Sequence, residues 1–247
     1  MNYAAVVTAG GRVDAEFAHA IGTHVKALAP FAGSTFLGLT IRALRGIGVD
    51  RIAVIGGIEV SAAIRHEVEA IIAESVSGAE NLVRALYAWD ERTPLLYLTS
   101  DMPFITSQAL RDFMDAVPQE TLAVPLTEWW QFTERFPASP PFGVTLAGEK
   151  VVNGGAFVIP ANCAARIEQF AVTFFEARKD LWRMARLAGP KLLLKFMFHR
   201  LDVAALESQA RRLLGISAKA IRNAPAELAY DVDTLEEYRY ALARAGT

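Results

Sequence analysis

The chain of 247 residues contains one cysteine, Cys163, so it cannot form an intrachain disulfide. It has four histidines and no cysteine–histidine cluster with the spacing of a zinc site. The formal net charge is −2, which argues against a nucleic-acid partner bound through a broadly basic surface. No uncharged apolar stretch of about 18 residues and no secretory leader pattern is present, so we expect no membrane span and a cytoplasmic protein.

Two common nucleotide-binding motifs are also missing. The first glycine pair, Gly10-Gly11, is not followed by the Gly-Lys-Ser/Thr of a P-loop, and Gly-x-Gly-x-x-Gly is absent. What is present is an apolar run, Ala4 to Val7, that leads into this pair, with Lys26 further on. Because glycine has no Cβ, backbone N–H groups there can approach an anion closely. The stretch predicts a phosphate-binding loop with Lys26 as its cation, and an ordinary strand-to-helix turn is the alternative.

Apolar runs alternate with helical patterns through the first half of the chain. The pattern predicts strands near 4–7, 51–55, 94–99 and 122–126, and helices near 35–46, 61–75, 82–89 and 107–117. This rhythm indicates a three-layer α/β/α, Rossmann-like fold with a mixed, mostly parallel sheet. Ligands of such sheets bind beyond the carboxyl ends of the strands, where Gly10-Gly11, Gly56-Gly57 and Asp101 fall.

The second half has a different character. Strands are predicted at 144–146 and 154–159, around a turn at Gly148, and a helical insertion at 163–216 is broken at Gly189-Pro190. The basic segment 161–225 fits either an anionic partner or a solvated helical face. The apolar run 192–198 is typical of a core segment or of a dimer interface in a homo-oligomer. We expect the whole chain, 1–247, to form a single domain.

Carboxylates at two distant places complete the pattern. Asp101 follows a predicted strand and precedes Met102-Pro103, and a predicted short strand near the end carries Asp231 and Asp233. A helix with a Thr-x-x-Glu capping box then begins at Thr234. Carboxylates that meet at one edge of a sheet can hold Mg²⁺ together with phosphate oxygens and water.

These motifs resemble those of the nucleotidyltransferases with a glycosyltransferase A-type fold. Within that superfamily they are most similar to the MobA-like NTP transferases, the molybdenum-cofactor guanylyl- and cytidylyltransferases, and less so to sugar-phosphate nucleotidylyltransferases. The resemblance covers most of the first 160 residues and the last 20. It implies Mg²⁺-dependent transfer of an NMP from an NTP to a phosphorylated acceptor, with release of pyrophosphate.

The resemblance also assigns roles to individual residues. It implies nucleotide-binding residues at Ala9, Gly10, Gly11, Gly78, Asn81 and Asn153, catalytic residues at Lys26 and Asp101, and metal ligands at Asp101, Asp233 and, less favoured, Asp231. Gly78 and Asn81 would lie near the base and ribose, and Asn153 near the acceptor. In the family an arginine follows the glycines after a short spacing, and the lysine comes soon after it. Here residues 12–25 separate Gly11 from Lys26, and we assign the role of that arginine to Arg12.

Two other function classes remain open from the sequence. A glycosyltransferase of the same fold would normally carry Asp-x-Asp at the end of the third strand, where this chain has Ser100-Asp101-Met102. A non-catalytic nucleotide-binding protein is the second class, and the altered loop after Gly11 favours it. The residues name neither the base nor the acceptor.

Overall fold

A computed structural model describes residues 3–140, 142–177 and 200–245, together with 189, 192 and 195. Its strands are β1 (Ala4–Thr8), β2 (Pro30–Phe31), β3 (Ser34–Thr35), β4 (Ile52–Gly56), β5 (Ala70–Ala73), β6 (Leu95–Thr99), β7 (Thr121–Glu128), β8 (Val144–Leu146), β9 (Glu149–Asn153), β10 (Ala156–Ile159) and β11 (Ser217–Arg222). Its α-helices are α1 (Ala15–Ile21), α2 (Phe36–Gly46), α3 (Ile58–Ile64), α4 (Gly78–Leu86), α5 (Ser107–Asp115), α6 (Trp129–Arg135), α7 (Ala164–Ala177), α8 (Val203–Leu214) and α9 (Leu235–Leu242).

Nine strands form one mixed sheet in the order β5-β4-β1-β6-β10-β7-β9-β8, with β11 paired to β7. The pairs β5–β4, β4–β1, β1–β6 and β7–β11 are parallel, whereas β10 is antiparallel to both β6 and β7. The β8–β9 hairpin continues the antiparallel side through β7. The predicted α/β fold with a mixed, mostly parallel sheet is confirmed.

Helices cover both faces of the sheet. On β1, Ala5 and Val7 point into a core that also contains residues of α2, α3 and α5. Their neighbours Ala4 and Val6 point to the other face, against α4 and α7. Because successive side chains of a strand alternate between faces, a strand that is apolar at every position is buried on both sides.

One predicted helix is wrong. The helix expected at 61–75 ends as α3 at Ile64, and Ala70–Ala73 forms the edge strand β5, parallel to β4. Apolar residues at 64, 68, 71 and 72 fit helical spacing, yet the adjacent β-branched pair Ile71-Ile72 suits a short strand equally well. Pairing with β4, which is far away in sequence, decides the outcome.

The second half differs from its prediction in three places. The turn at Gly148 joins β8 to β9, and a corner at Gly154-Gly155 then separates β9 from the strand predicted at 154–159. Strand β11 was not predicted, because Ser-Ala-Lys-Ala-Ile-Arg alternates weakly and pairs with a distant partner. The short strand predicted over 229–233 is absent from the described chain, where this segment is irregular.

The helical insertion is present where the chain is described, as α7 and α8. The predicted break at Gly189-Pro190 and the apolar run 192–198 lie largely outside the described residues. None of the helices in the described ranges is long and apolar enough to cross a membrane.

Candidate active site

The glycine loop and Lys26 are neighbours in space, although 14 residues, 12–25, separate Gly11 from Lys26 in the sequence. The Lys26 N–H donates to Gly11 O at 2.9 Å, and Arg12 forms an isolated antiparallel bridge with Val25. The intervening chain is therefore a closed excursion that carries α1, which begins at the Asp14 cap and ends at Gly22 with φ of 74°. The long spacing between Gly11 and Lys26 is thus taken up largely by helix α1, and it leaves the loop and the lysine adjacent.

Lys26 joins two carboxylates from opposite ends of the chain. Its Nζ lies 2.7 Å from Asp101 Oδ2 and 2.5 Å from Asp233 Oδ1, and its side chain is 13% exposed. Burial by itself lowers the pKa of Lys26, but the charges and hydrogen bonds of Asp101 and Asp233 raise the pKa by more. The side chain is therefore a firmly charged ammonium inside an acidic cluster.

Asp101 is held by its backbone at the end of β6. Its carbonyl oxygen accepts the Val232 N–H at 3.0 Å, which brings the segment with Asp231 and Asp233 alongside. The carboxylate oxygen Oδ1 of Asp101 is buried and has no hydrogen-bond partner in the described part of the chain, and the same holds for Thr99 Oγ1. Buried polar atoms without partners are rare in proteins and mark places where a ligand, ion or water is expected.

Gly155 leaves room beside Thr99 Oγ1. A Cβ at Gly155 would lie 2.3 Å from Thr99 Oγ1, so a larger residue there would fill the space. Gly155 is fixed from both sides, because its N–H donates to Leu228 O and its carbonyl accepts the Thr99 N–H, each at 2.9 Å. Thr99 was not singled out from the sequence, and Gly155 was noticed only as part of the Asn153-Gly154-Gly155 motif.

Asp231 has a raised pKa in this cluster. Burial raises its pKa, the negative charges of Asp101 and Asp233 raise it further, and the result is about 7. Lys26 contacts Asp101 and Asp233 and lies within electrostatic reach of Asp231, so one ammonium stands among three acids. Within the described ranges, no three or more His, Cys, Asp or Glu side chains are placed to share one metal ion.

A metal held by Asp101 and Asp233 fits the oxygen chemistry of this site. Magnesium characteristically uses one or two carboxylates and completes its shell with substrate phosphates and water. The unpartnered Oδ1 of Asp101 and the outward-facing Asp233, which is 68% exposed, supply that kind of donor set. Asp231 lies within electrostatic reach of both, as its raised pKa shows.

Aromatic packing and a helix cap hold the segment with Asp233. Tyr230 is fully buried, with ring centroids 4.9 Å from Phe136 and 5.1 Å from Phe104. Immediately after it, Glu237 Oε2 accepts the backbone N–H groups of Asp233 and Thr234, both at 2.7 Å. The predicted capping box from Thr234 to Glu237 is present and fixes the backbone on either side of the acid.

Arg12 is engaged on the other side of the loop. Its guanidinium donates to Glu74 Oε1 at 2.5 Å and to Gly10 O at 3.1 Å, and it lies 3.9 Å from Glu59. A Cβ at Gly10 would lie 2.0 Å from Glu74 Oε2, so a larger residue there would require the Glu74 carboxylate to move. The guanidinium of Arg12 is thus held by Glu74, which follows β5, and by Gly10 and Glu59. Glu74 was not recognised in the sequence.

The remaining predicted residues occupy separate positions around the edge of the sheet. Ala9 is buried, and its N–H donates to Ile55 O at 2.8 Å, which sets the direction of the loop. Gly78 begins α4, and both polar atoms of the Asn81 amide bind the backbone of Ser75, at 2.6 and 2.9 Å. Asn153 ends β9 and is exposed.

Comparison with solved structures shows the same fold. A hypothetical transferase from Thermus thermophilus superimposes with a TM-score of 0.83 at 26% identity, covering 96% of this chain and 99% of that one. A CMP:2-keto-3-deoxy-manno-octonic acid synthetase in complex with CTP gives 0.60 at 14%, with 99% of each chain covered. The Rv0371c protein of Mycobacterium tuberculosis H37Rv, in complex with manganese, gives 0.50 at 20%, with 98% and 99% covered.

In sequence, no curated protein matches the chain. Residues 5–185 match the MobA-like NTP transferase domain, a stretch that contains the glycine loop, Lys26 and Asp101. This match spans well over half of the chain, and the solved relatives share its sheet and its helices. The chain belongs to the MobA-like NTP transferase family and is a nucleotidyltransferase.

Proposed function

We propose that this chain transfers an NMP from an NTP to a small phosphorylated acceptor in a Mg²⁺-dependent reaction that releases pyrophosphate. The observation that carries this proposal is the cluster of Lys26, Asp101 and Asp233 beside the Gly10-Gly11 loop. A cation and two acids from distant parts of the chain meet next to a turn that can accommodate phosphate. This is what positioning and charge neutralisation of a triphosphate require.

Each residue has a proposed task. The backbone N–H groups of Gly10 and Gly11 bind the β and γ phosphates, and the Lys26 ammonium neutralises charge on the α-phosphate and on the attacking group. The acceptor phosphate attacks the α-phosphorus, the bond to the bridging oxygen breaks, and pyrophosphate leaves with that electron pair. An acceptor that is already a phosphate dianion needs no general base.

The metal would be held by Asp101 and Asp233, with Asp231 as a further acid nearby. When bound, Mg²⁺ would supply charge stabilisation to the phosphate oxygens of the nucleotide. The manganese complex of the Rv0371c protein supports a divalent ion at this kind of fold. The CTP complex of the octonic acid synthetase supports a nucleotide there.

The roles of the surrounding residues are narrower in this proposal. Arg12 acts through Glu74 and Gly10 to hold the loop, and Asn81 fixes the turn at Ser75 that precedes α4. Gly78 would lie near the base and ribose, and Asn153 beside the acceptor. We further propose that residues 1–247 form one domain, that the protein acts in the cytoplasm and that it assembles as a homo-oligomer.

A thermal-shift screen of the four NTPs with and without Mg²⁺ tests the proposal. An NTP at ~100 times its dissociation constant should add roughly 2.7 kcal/mol to the free energy of unfolding, mainly when Mg²⁺ is present. The best NTP then enters a pyrophosphate-release assay against a panel of phosphorylated acceptors. No shift with any NTP and Mg²⁺ would remove the nucleotide site, and binding without pyrophosphate release would favour a non-catalytic nucleotide-binding protein.

A further inference from the structure

The position between Asp101 and Asp233 already holds a positive charge. The Nζ of Lys26 lies 2.7 Å from one carboxylate and 2.5 Å from the other, so it bridges them. A divalent ion shared by the same two acids would need the same space. An ammonium and a divalent ion packed between two carboxylates would repel each other, most strongly on the side of the poorly exposed Asp101.

We propose that Lys26 is the resident cation of the metal site and that a divalent ion enters only together with a triphosphate, which draws the lysine away. This inference rests on the proposed function, because it assumes that Asp101 and Asp233 bind metal. It adds a gate for the divalent ion: without metal and nucleotide, Lys26 stays paired with Asp101 and Asp233 and occupies the metal position. Metal binding and nucleotide binding are then strongly coupled.

The local contacts favour a lysine that can move. The stem of Lys26 passes beside Gly11, where a Cβ would lie only 3.2 Å from Lys26 Cε, so a larger residue at this position would crowd the stem. The backbone is anchored independently by the hydrogen bond from Lys26 N–H to Gly11 O. Rotation of the Lys26 side chain is then the movement that would carry the ammonium from the acids towards a phosphate on the loop.

The two acids differ in how tightly they hold the lysine. The side chain of Asp101 is 15% exposed, whereas that of Asp233 is 68% exposed, so water competes much more at the outer pair. The second oxygen of Asp101, Oδ1, is buried without a partner in the described chain. An incoming ion thus finds Oδ1 of Asp101 without a partner among the described residues. Of the two ion pairs of Lys26, the one with Asp233 is the weaker and the easier to separate.

Manganese binding to the full-length chain, measured from the loss of the free Mn²⁺ signal in electron paramagnetic resonance, tests the gate. Without nucleotide, Lys26→Met should bind MnCl₂ at least about tenfold more tightly than the wild type, because the like charge is gone. A non-hydrolysable NTP analogue should tighten Mn²⁺ binding to the wild type by a larger factor than to Lys26→Met. Melting curves establish folding, and Lys26→Gln is measured in parallel in case the methionine variant does not fold.

Two control variants separate this inference from general electrostatics. Lys26→Arg keeps the charge and should stay near the wild-type affinity for Mn²⁺ alone. Arg42→Met removes one positive charge from an exposed position of α2 and should also leave that affinity nearly unchanged. A gain in either control as large as that in Lys26→Met would overturn the proposal.

The experiment distinguishes failure of the gate from failure of the proposed function. Equal Mn²⁺ affinities of wild type and Lys26→Met, with normal binding of Mn²⁺ in the presence of the analogue, overturn the gate and leave the function standing. Absence of Mn²⁺ binding to the wild type with every NTP analogue contradicts the proposed function itself.

Discussion

The two acids that Lys26 bridges are positioned by different means. Asp101 follows a five-residue strand, β6, which is paired on both sides and packed against an aliphatic core. Asp233 belongs to an irregular segment that is held by a cluster of aromatic rings around Tyr230 and by the cap of α9. The first acid is positioned by backbone pairing, and the second by side-chain packing.

The difference explains why the two acids differ in exposure. A strand inside a sheet satisfies its backbone groups in the ladder, so the residue at its end is close to the core. The segment with Asp233 has a single described backbone bond to the edge of the sheet, from Val232 N–H to Asp101 O. The inner acid is therefore the fixed part of the site, and the outer acid is the part that packing elsewhere can displace.

The largest expected effect comes from emptying the aromatic cluster. Tyr230→Ala should lower the free energy of unfolding by about 3–5 kcal/mol, because a fully buried ring is lost and a cavity is left. Urea unfolding measures this change. In the molecules that remain folded, binding of NTP with Mg²⁺ should also weaken, because the ring that holds the segment of Asp233 is gone.

Two variants sharpen this comparison between the aromatic cluster near Asp233 and the aliphatic core behind Asp101. Tyr230→Phe keeps the ring and loses the bond from the hydroxyl to Glu237 O, so it should cost about 1 kcal/mol. Leu96→Ala in the aliphatic core should cost about 2–5 kcal/mol but leave nucleotide affinity of the folded molecules unchanged. Equal losses of nucleotide affinity in Tyr230→Ala and Leu96→Ala would contradict the claim that the aromatic cluster specifically positions Asp233.

The next effect is on turnover. Asp101→Asn should keep the fold, because it changes a strand-end acid at the edge of the sheet, and should lower turnover at least about 10²-fold, roughly 2.7 kcal/mol of transition-state stabilisation. Pyrophosphate release measures the rate, and circular dichroism follows folding. Asp115→Asn, at an exposed position at the end of α5, is the matched control and should retain wild-type turnover. A folded Asp101→Asn protein with near wild-type release would remove Asp101 from the mechanism.

The parallel half could be predicted from sequence because its signals are local. Short apolar runs that end in Gly10-Gly11, Gly56-Gly57 and Asp101 specify both the strands and their functional ends. The exception is β5, whose apolar spacing also fits a helix and whose identity depends on pairing with β4. Local pattern is sufficient where strand and turn signals agree, and it fails where a distant partner decides.

The site itself could be predicted only in part. The residue types of Lys26, Asp101 and Asp233 were recognisable, but the bridging of both acids by the lysine depends on contacts between chain positions far apart. The pairing of Arg12 with Glu74 and the space left by Gly155 beside Thr99 have the same origin. Such contacts depend on how the elements pack, which periodicity along the chain does not encode.

The smallest expected effect is on the pH dependence of the free energy of unfolding, and it tests the raised pKa of Asp231. Burial and the charges of Asp101 and Asp233 raise the pKa of Asp231 from 3.8 to about 7 in the folded chain. Between these two values the folded state keeps a proton that the unfolded state has lost, so this group lowers stability as pH rises from about 4 to about 7. Above pH 7 the full cost is present, because both states are then ionised.

Asp231→Asn removes this cost and should therefore stabilise the metal-free chain by about 1–2 kcal/mol more at pH 8 than at pH 5, a figure reduced for residual contact with solvent. Urea unfolding at the two pH values in the presence of a chelator measures the difference, and Asp115→Asn serves as the exposed control. A pH-independent effect of Asp231→Asn would mean that Asp231 is ionised throughout this range and that Lys26 neutralises it as fully as it does its neighbours.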